Sequence, residues 1–426
     1  MVRKSIVSFL FATIALVLAA PAAIAQQQSA LPKQTPLFHG PKEPAAAAEA
    51  APGKSNANTA GTLPLFSYTV TSSRDGNTYS GVIVGDSPFT DPRGSVRVPA
   101  QIVPVIIVTN SVFAGVVNGD VVTVPGVTVF DPSKRDDSCL TPPNDKPLDL
   151  VQESPIYHRE DINFGGTDLG VSQATDAFQR ANFFQPLNGG NANVEVNTRY
   201  HVNLSPVTTL APIVINIPAG NGIAYPSAAF GGCPTGVNAI VDFAVYKPAL
   251  FAAITTTLGA QGVNPGTFPM FVTHNVVECV ALAAGVNCGD VLNPNSACCI
   301  IGFHSASGQQ TIGTADFDTS AIFISPIPDV LPMSHEVGEW MNDPFGNNPT
   351  PAWGHTGQVG GCQSNLEVGD PLTPTQLPAI TGPTGFAYHL QELAFFSWFY
   401  GAPSIGIHGF FSDNGTFTTD AGPVCQ

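Results

Sequence analysis

The sequence predicts an α+β fold, with a β-rich N-terminal half and a mixed sheet plus one ligand-bearing helix in the C-terminal half. Only 11% of the 426 residues are charged, whereas the chain contains 42 glycines and 39 prolines. This composition favours short strands, turns and long loops over helix bundles. Short apolar or alternating segments recur along the chain, and one segment near position 335 combines helical spacing with metal-ligand chemistry.

The N-terminus is typical of a secretory signal. Arg3 and Lys4 precede an apolar run, and small residues around Ala25 form a cleavage site. We therefore expect residues 1–25 to be removed and the mature chain to be secreted, into the periplasm or the extracellular space. No later stretch is long and apolar enough for a membrane span. The net charge of −16 argues against nucleic-acid or anionic-membrane partners, and the sequence predicts no particular oligomeric state.

The rest of the chain divides into three regions by composition. Residues 26–61 are rich in Gln, Pro and Ala, which predicts a disordered linker without a packed core. Residues 62–235 are predicted to be β-rich, and residues 236–426 to carry the metal site, either separately or as one domain with 62–235. In the β-rich region, a helix is predicted over 175–184. Strands are predicted at 63–70, 98–109, 121–129, 200–204 and 212–217.

The elements of the second region follow from its prolines and its apolar periodicity. Proline suits the first turn of a helix, so a helix is predicted to begin at Pro248 and to end at Gly259 or Gly262. The aromatic segment near the C-terminus predicts a final helix. In chain order the remaining predictions are strands at 267–273 and 299–303, the helix near 335, a loop over 344–385 and the aromatic segment 386–400.

Eight cysteines in an exported chain predict up to four disulfides. The spacing of the cysteines does not determine how they are paired. One pair can nevertheless be inferred from the positions of its two cysteines in the chain. Cys425 lies one residue from a chain end that would fray unless it were tied down. Cys362 lies five residues before Glu367, on a loop too glycine-rich to hold itself in place. We therefore predict a Cys362–Cys425 disulfide, which would close a loop of roughly sixty residues.

The segment from Ser334 to Pro344 has the spacing of a helix with two distinct faces. His335 and Glu339 are four residues apart and lie one above the other on one face. Pro344 excludes the helical conformation for the residue before it, so the helix should end there. Four apolar residues form the opposite stripe: Met333, Val337, Trp340 and Met341.

The pattern H-E-x-x-E in this helix indicates a metal site. It is the zinc-protease pattern H-E-x-x-H with a glutamate in place of the second histidine. His335 and Glu339 are two candidate zinc ligands, Glu367 is the predicted third, and Glu336 is the predicted general base. The same four-residue spacing recurs at His274 and Glu278, in a segment predicted to be a strand, so the spacing alone is not specific.

Further polar residues near the motif are candidates for additional ligands or supporting contacts. Asp343 continues the ligand face of the helix and is a rival third ligand. Asp370 is a candidate second-shell partner or alternative ligand, and His304 and His355 are weaker candidates. Zinc is the predicted ion, with calcium or manganese as alternatives because carboxylates dominate the set.

The residues Ser334-His335-Glu336-Val-Gly-Glu339, the Asp343-Pro344 pair and the later Glu367-Val-Gly-Asp370 resemble a signature of exported bacterial proteins regarded as zincin-like metallopeptidases. Plant phosphate-induced, exordium-like cell-wall proteins are more distantly similar around the same motif. The resemblance implies a zincin-like mixed sheet with the motif helix, zinc as cofactor and a peptide or protein as substrate.

Two functions of different classes are compatible with these patterns. The first is an exported metal-dependent hydrolase, most readily a zinc peptidase, with Glu336 as its base. The second is a non-catalytic extracellular or cell-wall-associated protein in which the same residues hold a structural metal. Substitution of Glu336 by Gln separates them, because only the enzyme would lose an activity while it kept its metal.

Overall fold

The computed structural model describes most of the chain, apart from the N-terminal residues and short internal segments. The predicted signal peptide at 1–25 and His355 lie outside the described residues, so the structure bears on neither. The described residues are 31–38, 61–136, 139–140, 145–190, 199–354, 362–422 and 425.

Both strands and helices are present in the described residues, and strands predominate. The helices are α1 (Pro147–Gln152), α2 (Ala174–Asn182), α3 (Phe184–Leu187), α4 (Phe243–Ala253), α5 (Leu331–Asn342) and α6 (Phe396–Tyr400). The strands of the first half are β1 (Leu65–Thr71), β2 (Thr78–Val84), β3 (Ser95–Val117), β4 (Asp120–Phe130), β5 (Glu160–Phe164), β6 (Thr167–Ser172), β7 (His201–Thr209), β8 (Ile213–Ile217) and β9 (Gly222–Pro226). Those of the second half are β10 (Val237–Asp242), β11 (Phe268–His274), β12 (Val276–Ala281), β13 (Ser296–Ile300), β14 (Gly302–Ser307), β15 (Gln310–Phe317), β16 (Pro349–Gly354), β17 (Cys362–Asn365), β18 (Ile380–Thr381) and β19 (Ala387–Tyr388).

One large mixed sheet unites the two predicted regions. Eleven of the described strands belong to it, in the order β13-β12-β10-β9-β3-β11-β15-β14, and β4, β7 and β8 also pair with β3. The central strand β3 is 23 residues long and pairs with strands from both halves of the chain. The predicted division near residue 235 therefore does not separate two sheets.

The motif helix α5 packs against the end of this sheet formed by β14 and β15, and against α2. Its predicted apolar stripe is confirmed, because all four residues of the stripe are fully buried. The Trp340 ring stacks on Phe268 with centroids 3.8 Å apart, and its indole N–H donates to Thr311 Oγ1 at 2.9 Å. Burial of each large apolar side chain contributes about 1.5–3 kcal/mol, so this stripe fixes the helix on the sheet.

Helix α4 begins earlier than predicted. Asp242 caps it by accepting a hydrogen bond from Ala244 N at 2.9 Å, so the helix starts at Phe243 and contains Pro248 in its interior. The helical run Phe243–Gln261 is the one described run that is long and apolar enough to cross a membrane, by length and composition only. Its buried residues pack against a hydrophobic cluster on the large sheet.

The C-terminal segments are more extended than predicted. The loop over 344–385 contains the paired strands β16 and β17 and half of a short hairpin, β18 with β19. In the aromatic segment only Phe396–Tyr400 is helical. The aromatic rings before this helix reach the largest core cluster from an extended backbone, so a longer helix is not needed to bury them.

Part of the predicted linker is packed on the core. Leu31 and Phe38 are buried, and the backbone between them makes isolated parallel bridges to Phe323 and Ile300. The prediction of a linker without packed residues is therefore wrong for 31–38. Low complexity in the flanking residues concealed the apolar residues that are inserted into the core.

The eight cysteines are all paired, which is consistent with the oxidising environment of an exported protein. The predicted Cys362–Cys425 disulfide is confirmed, with Cα atoms 4.9 Å apart. The other pairs are Cys139–Cys233, Cys279–Cys288 and Cys298–Cys299.

Candidate metal centre

Helix α5, strand β14 and the segment after β17 bring six of the predicted site residues together in the interior. The side chains are almost completely inaccessible to solvent, with exposed fractions of 10% or less. Two overlapping groups share Glu339, and within each group the ligand atoms lie within 4.8 Å of one another. The groups are His335, Glu339 and Asp370, and His304, Glu336 and Glu339.

The imidazole of His335 is oriented so that one nitrogen points at carboxylates. Its Nδ1 lies 3.0 Å from Gln391 Oε1, an acceptor, so Nδ1 carries the proton in the neutral ring. Nε2 then presents a lone pair, 3.0 Å from Glu339 Oε1 and 3.6 Å from Asp370 Oδ1. This buried nitrogen can bind a cation through the lone pair of the neutral ring, or a proton that it shares with the facing carboxylates. A second-shell amide that fixes the tautomer is the usual arrangement around a metal-bound histidine.

Glu339 is held in place by the segment that carries Asp370. Its Oε1 accepts hydrogen bonds from the backbone N–H groups of Gly369 and Asp370, at 3.1 and 3.3 Å. Its Oε2 lies 3.5 Å from His304 Nδ1. Glu339 therefore joins the two groups, with one oxygen facing each histidine.

His304 lies between three glutamates. Its Nδ1 is 3.6 Å from Glu336 Oε2, and its Nε2 is 3.7 Å from Glu367 Oε2. Both oxygens of Glu336, and Oε2 of Glu367, are buried without a hydrogen bond. The other oxygen of Glu367 accepts a hydrogen bond from Asn365 Nδ2. Glu367 thus faces His304, whereas Asp370 is the carboxylate that faces His335.

Two glycines make this convergence sterically possible. A Cβ at position 369 would overlap the imidazole of His335, so only glycine lets the Glu367–Asp370 segment approach the helix this closely. A Cβ at position 302 would lie against the carboxylate of Glu336, at the start of the strand that carries His304. Such contacts are the usual reason for glycine where a backbone approaches a site.

Asp343 has a different role from the one its spacing suggested. Its Oδ1 accepts hydrogen bonds from the backbone N–H groups of Asn347 and Asn348, at 2.9 and 3.0 Å. The helix ends at Asn342, so Asp343 leaves the ligand face and organises the following turn. Among the described residues it belongs to neither ligand group.

The buried charged groups strongly shift one another's pKa values. Burial acts to lower the pKa of His335, but the neighbouring carboxylates, Glu339 first, outweigh it and raise the pKa to about 9. Burial raises the pKa of Glu336 to about 7 and that of Asp343 to about 6, and it holds the pKa of Glu367 well above its usual range. Glu339 behaves oppositely. Burial acts to raise its pKa, yet the two histidines hold that pKa below its usual range.

Two residues of the site were not found from the sequence. Gln391 fixes His335, and its Nε2 also donates to Gly369 O at 2.5 Å, so it connects the helix to the ligand-bearing segment. Phe38 stacks on the His335 ring with centroids 4.5 Å apart and planes 29° apart. Neither residue has a spacing relation to the motif. The apolar Leu37-Phe38 pair within a Gln- and Pro-rich segment was the one available signal.

The donor set fits a divalent cation. One imidazole nitrogen with a free lone pair and two carboxylates within reach of it match the ligand types of zinc sites. Without a cation, a proton takes its place on this nitrogen, because the facing carboxylates raise the pKa of His335 to about 9.

Comparisons with protein-family models, with curated proteins and with solved structures find no match to this chain.

Proposed function

We propose that the chain is an exported metal-dependent hydrolase, a peptidase, whose divalent ion is held by His335, Glu339 and Asp370. The observation that carries the proposal is the convergence of the buried Nε2 of His335 with Glu339 Oε1 at 3.0 Å and Asp370 Oδ1 at 3.6 Å. The distances favour Asp370 over the predicted Glu367 as third ligand, since Glu367 faces His304 instead. Zinc is the preferred ion because imidazole suits zinc better than calcium.

The chemistry divides between the ion and the chain. A bound divalent ion supplies a Lewis acid that polarises a carbonyl and acidifies water. Gln391 holds the His335 ring in the tautomer that leaves Nε2 available. Glu336 is adjacent in the chain, buried, and free of hydrogen bonds, with a pKa of about 7. A carboxylate with a pKa near the working pH can take a proton at Oε1 or Oε2 and return it, as a general base must.

The peptide as substrate and the zincin-like architecture rest on two supports. The first is the sequence resemblance at the H-E-x-x-E helix and the Glu367–Asp370 segment. The second is that α5, which carries His335 and Glu339, packs against β14 and β15 at one edge of the large sheet. The predicted signal peptide and the disulfides support secretion.

A structural metal site in a non-catalytic protein is the second candidate, and one observation favours it. His335 and Asp370 are completely buried, whereas a catalytic ion needs a position open to substrate and water. The two candidates predict the same ligands, so metal binding alone does not distinguish them.

The deciding experiment is the substitution Glu336→Gln in the full mature chain. We expect metal content to stay at the wild-type level while cleavage of denatured casein, followed by mass spectrometry, falls by about two orders of magnitude or more. Glu278→Gln is the matched control, because Glu278 is also buried but belongs to neither ligand group. Wild-type chain that holds the ion yet cleaves nothing, even when Phe38, whose ring covers His335, is replaced by alanine, supports the structural role instead.

A further inference from the structure

Residues 31–38 close the approach to the candidate metal centre. Phe38 is completely buried, and its ring lies on the imidazole of His335. Leu31, at the other end of the segment, is also buried, whereas Lys33 and Thr35 between them are exposed. The segment therefore lies at the surface with its final side chain inserted next to a proposed ligand.

The backbone of the segment is bound as an added extended strand. Leu37 N donates to Cys299 O at 2.7 Å, and Leu37 O accepts from Ile301 N at 2.9 Å. Thr35 O accepts from Cys299 N at 3.2 Å. Gln34 pairs in the same way with the chain around Phe323. Pairing of this kind binds the main chain of an extended peptide and leaves selectivity to individual side-chain pockets.

The receptor strand leads directly into the metal centre. Ile301 is followed by Gly302, whose backbone lies against the Glu336 carboxylate, and then by His304 on β14. A peptide bound beside Cys299–Ile301 is thereby delivered to the cluster, which is why the side chain of residue 38 reaches His335.

The hold on this segment is weaker than that of a regular strand. It is paired through isolated bridges, at Gln34 with Phe323 and at Leu37 with Ile300, and not through a continuous ladder. Such a segment can exchange with a competing peptide more readily than the central strands of the sheet can.

We propose that residues 31–38 occupy a binding groove for extended peptides, with a pocket for an aromatic side chain against His335, and that they block the metal centre until they are displaced. The inference rests on the proposed metal site but not on hydrolysis. It accounts for the burial that favoured a structural ion, because the chain itself covers His335.

The first test uses the full mature chain loaded with Co²⁺. Leu37→Pro removes the N–H that donates to Cys299, and Phe38→Ala removes the ring on His335. We expect each variant to lose the ion to excess EDTA at least about tenfold faster, the scale of one lost backbone hydrogen bond. Thr35→Ala, at an exposed side chain, is the matched control and should stay within about twofold of wild type. Unchanged rates in both variants would overturn the proposal.

The second test separates a groove from a merely stabilising contact. A fluorescein-labelled peptide with the sequence of residues 31–38 should bind the Leu37→Pro chain, restore slow loss of the ion, and bind wild type about tenfold or more weakly, because wild type is already occupied. The same peptide with alanine in place of Phe38 should bind poorly. Faster ion loss that the peptide does not reverse would overturn the groove.

Failure of the metal site would remain distinguishable from failure of this inference. If the chain holds no ion, hydrogen exchange at the Ile301 amide and binding of the labelled peptide still report on the groove. Faster exchange at Ile301 in Leu37→Pro, reversed by the peptide, supports the groove without a metal. Unchanged exchange, with no peptide binding, overturns it.

Discussion

His335 and Glu339 share their four-residue spacing with His274 and Glu278, and all four side chains are mostly or completely buried, but the two pairs have different surroundings. The first pair lies on one face of α5, where both side chains point at the same space. In the second pair, His274 ends β11 and Glu278 lies within β12, with a residue of positive φ, Asn275, between the strands. A spacing of four residues therefore brings two side chains to a shared site on the helix, but not across the two strands.

The hydrogen-bond partners of the two histidines also differ. His274 Nε2 faces Asp136 Oδ2 at 2.9 Å and Thr319 Oγ1 at 3.1 Å, so its ring is satisfied by its neighbours. The nearby Asp316 accepts from Val276 N at 2.9 Å and organises the turn between the strands. At His335, by contrast, Nε2 faces two carboxylates, with Glu339 Oε1 at 3.0 Å and Asp370 Oδ1 at 3.6 Å.

The carboxyl groups without hydrogen-bond partners also behave differently in the two regions. Glu278 Oε2 and Asp316 Oδ2 are buried without hydrogen bonds, and burial raises the pKa of both groups well above the usual range. Burial therefore favours the protonated form of each group. Glu339 keeps a pKa below its usual range, so it remains an anion beside two imidazoles. A buried carboxylate that stays ionised because positive charge faces it indicates a cation site, whereas buried carboxyl groups that face other carboxyl groups favour their protonated form.

The largest expected effect contrasts Glu339→Ala with Glu278→Ala. Loss of Glu339 removes one of three proposed ligands and its charge, so zinc affinity should fall by more than the roughly 10–100-fold typical of second-shell substitutions. Glu278→Ala should leave zinc affinity within a few-fold of wild type. Competition with a zinc-binding dye measures both, and equal losses in the two variants would remove the distinction between the regions.

Gln391→Leu tests whether the orientation of His335 matters. The amide fixes the tautomer that leaves Nε2 available, so its loss should weaken zinc binding by about 10–100-fold while the ligands remain. Gln152→Leu is the matched control, because the exposed Gln152 donates to Thr209 Oγ1 and takes no part in the cluster. An unchanged affinity in Gln391→Leu would show that packing alone orients the ring.

The helix pair could be predicted from the sequence because its geometry is local. Spacing alone places His335, Glu336 and Glu339 on the helix, and Pro344 correctly predicted that the helix ends before it, at Asn342. Long-range contacts could not be predicted in this way. His304 arrives from β14, Gln391 from the aromatic segment and Phe38 from a segment of linker-like composition.

Element boundaries differed from prediction where side chains outweighed backbone propensity. The Asp242 cap moved the start of α4 to Phe243, ahead of Pro248. Packing of aromatic rings kept most of 386–395 extended, although the same composition is compatible with a helix. The mixed sheet itself was expected, but the 23-residue length of β3 that unites both halves was not.

The melting midpoint is expected to change by a few degrees with pH. Each unit of pKa shift between the folded and unfolded chain corresponds to about 1 kcal/mol of stability. In the metal-free chain, the raised pKa values of Glu336 and His335 stabilise the fold fully below their unfolded values of 4.5 and 6.5. This stabilisation is lost as the pH rises through about 7 and then about 9. Calorimetry from pH 5 to 9 should show that the melting midpoint of the metal-free chain falls as the pH rises. With zinc bound the midpoint should stay high, because zinc replaces the protons. A midpoint that rises over this range without metal would contradict the assigned shifts.

The smallest effect concerns the disulfides. Cys362–Cys425 anchors β17, which precedes Glu367 and Asp370, whereas Cys139–Cys233 lies elsewhere in the fold. Replacing Cys362 and Cys425 with Ser should weaken zinc binding a few-fold before the large sheet unfolds. The same replacement at Cys139 and Cys233 should lower the melting midpoint without a selective loss of zinc. Equal effects on zinc binding would show that the bridge does not position the ligands.

The metal content of the mature chain, purified without chelators, tests the central claim most directly. Elemental analysis should find one zinc ion per chain in wild type and in His274→Ala, and essentially none in His335→Ala. The reason is that His335 faces two carboxylates, those of Glu339 and Asp370, whereas His274 faces Asp136 and Thr319. Absence of a stoichiometric metal from wild-type chain that has been offered zinc, or an equal content in the two histidine variants, would contradict the account.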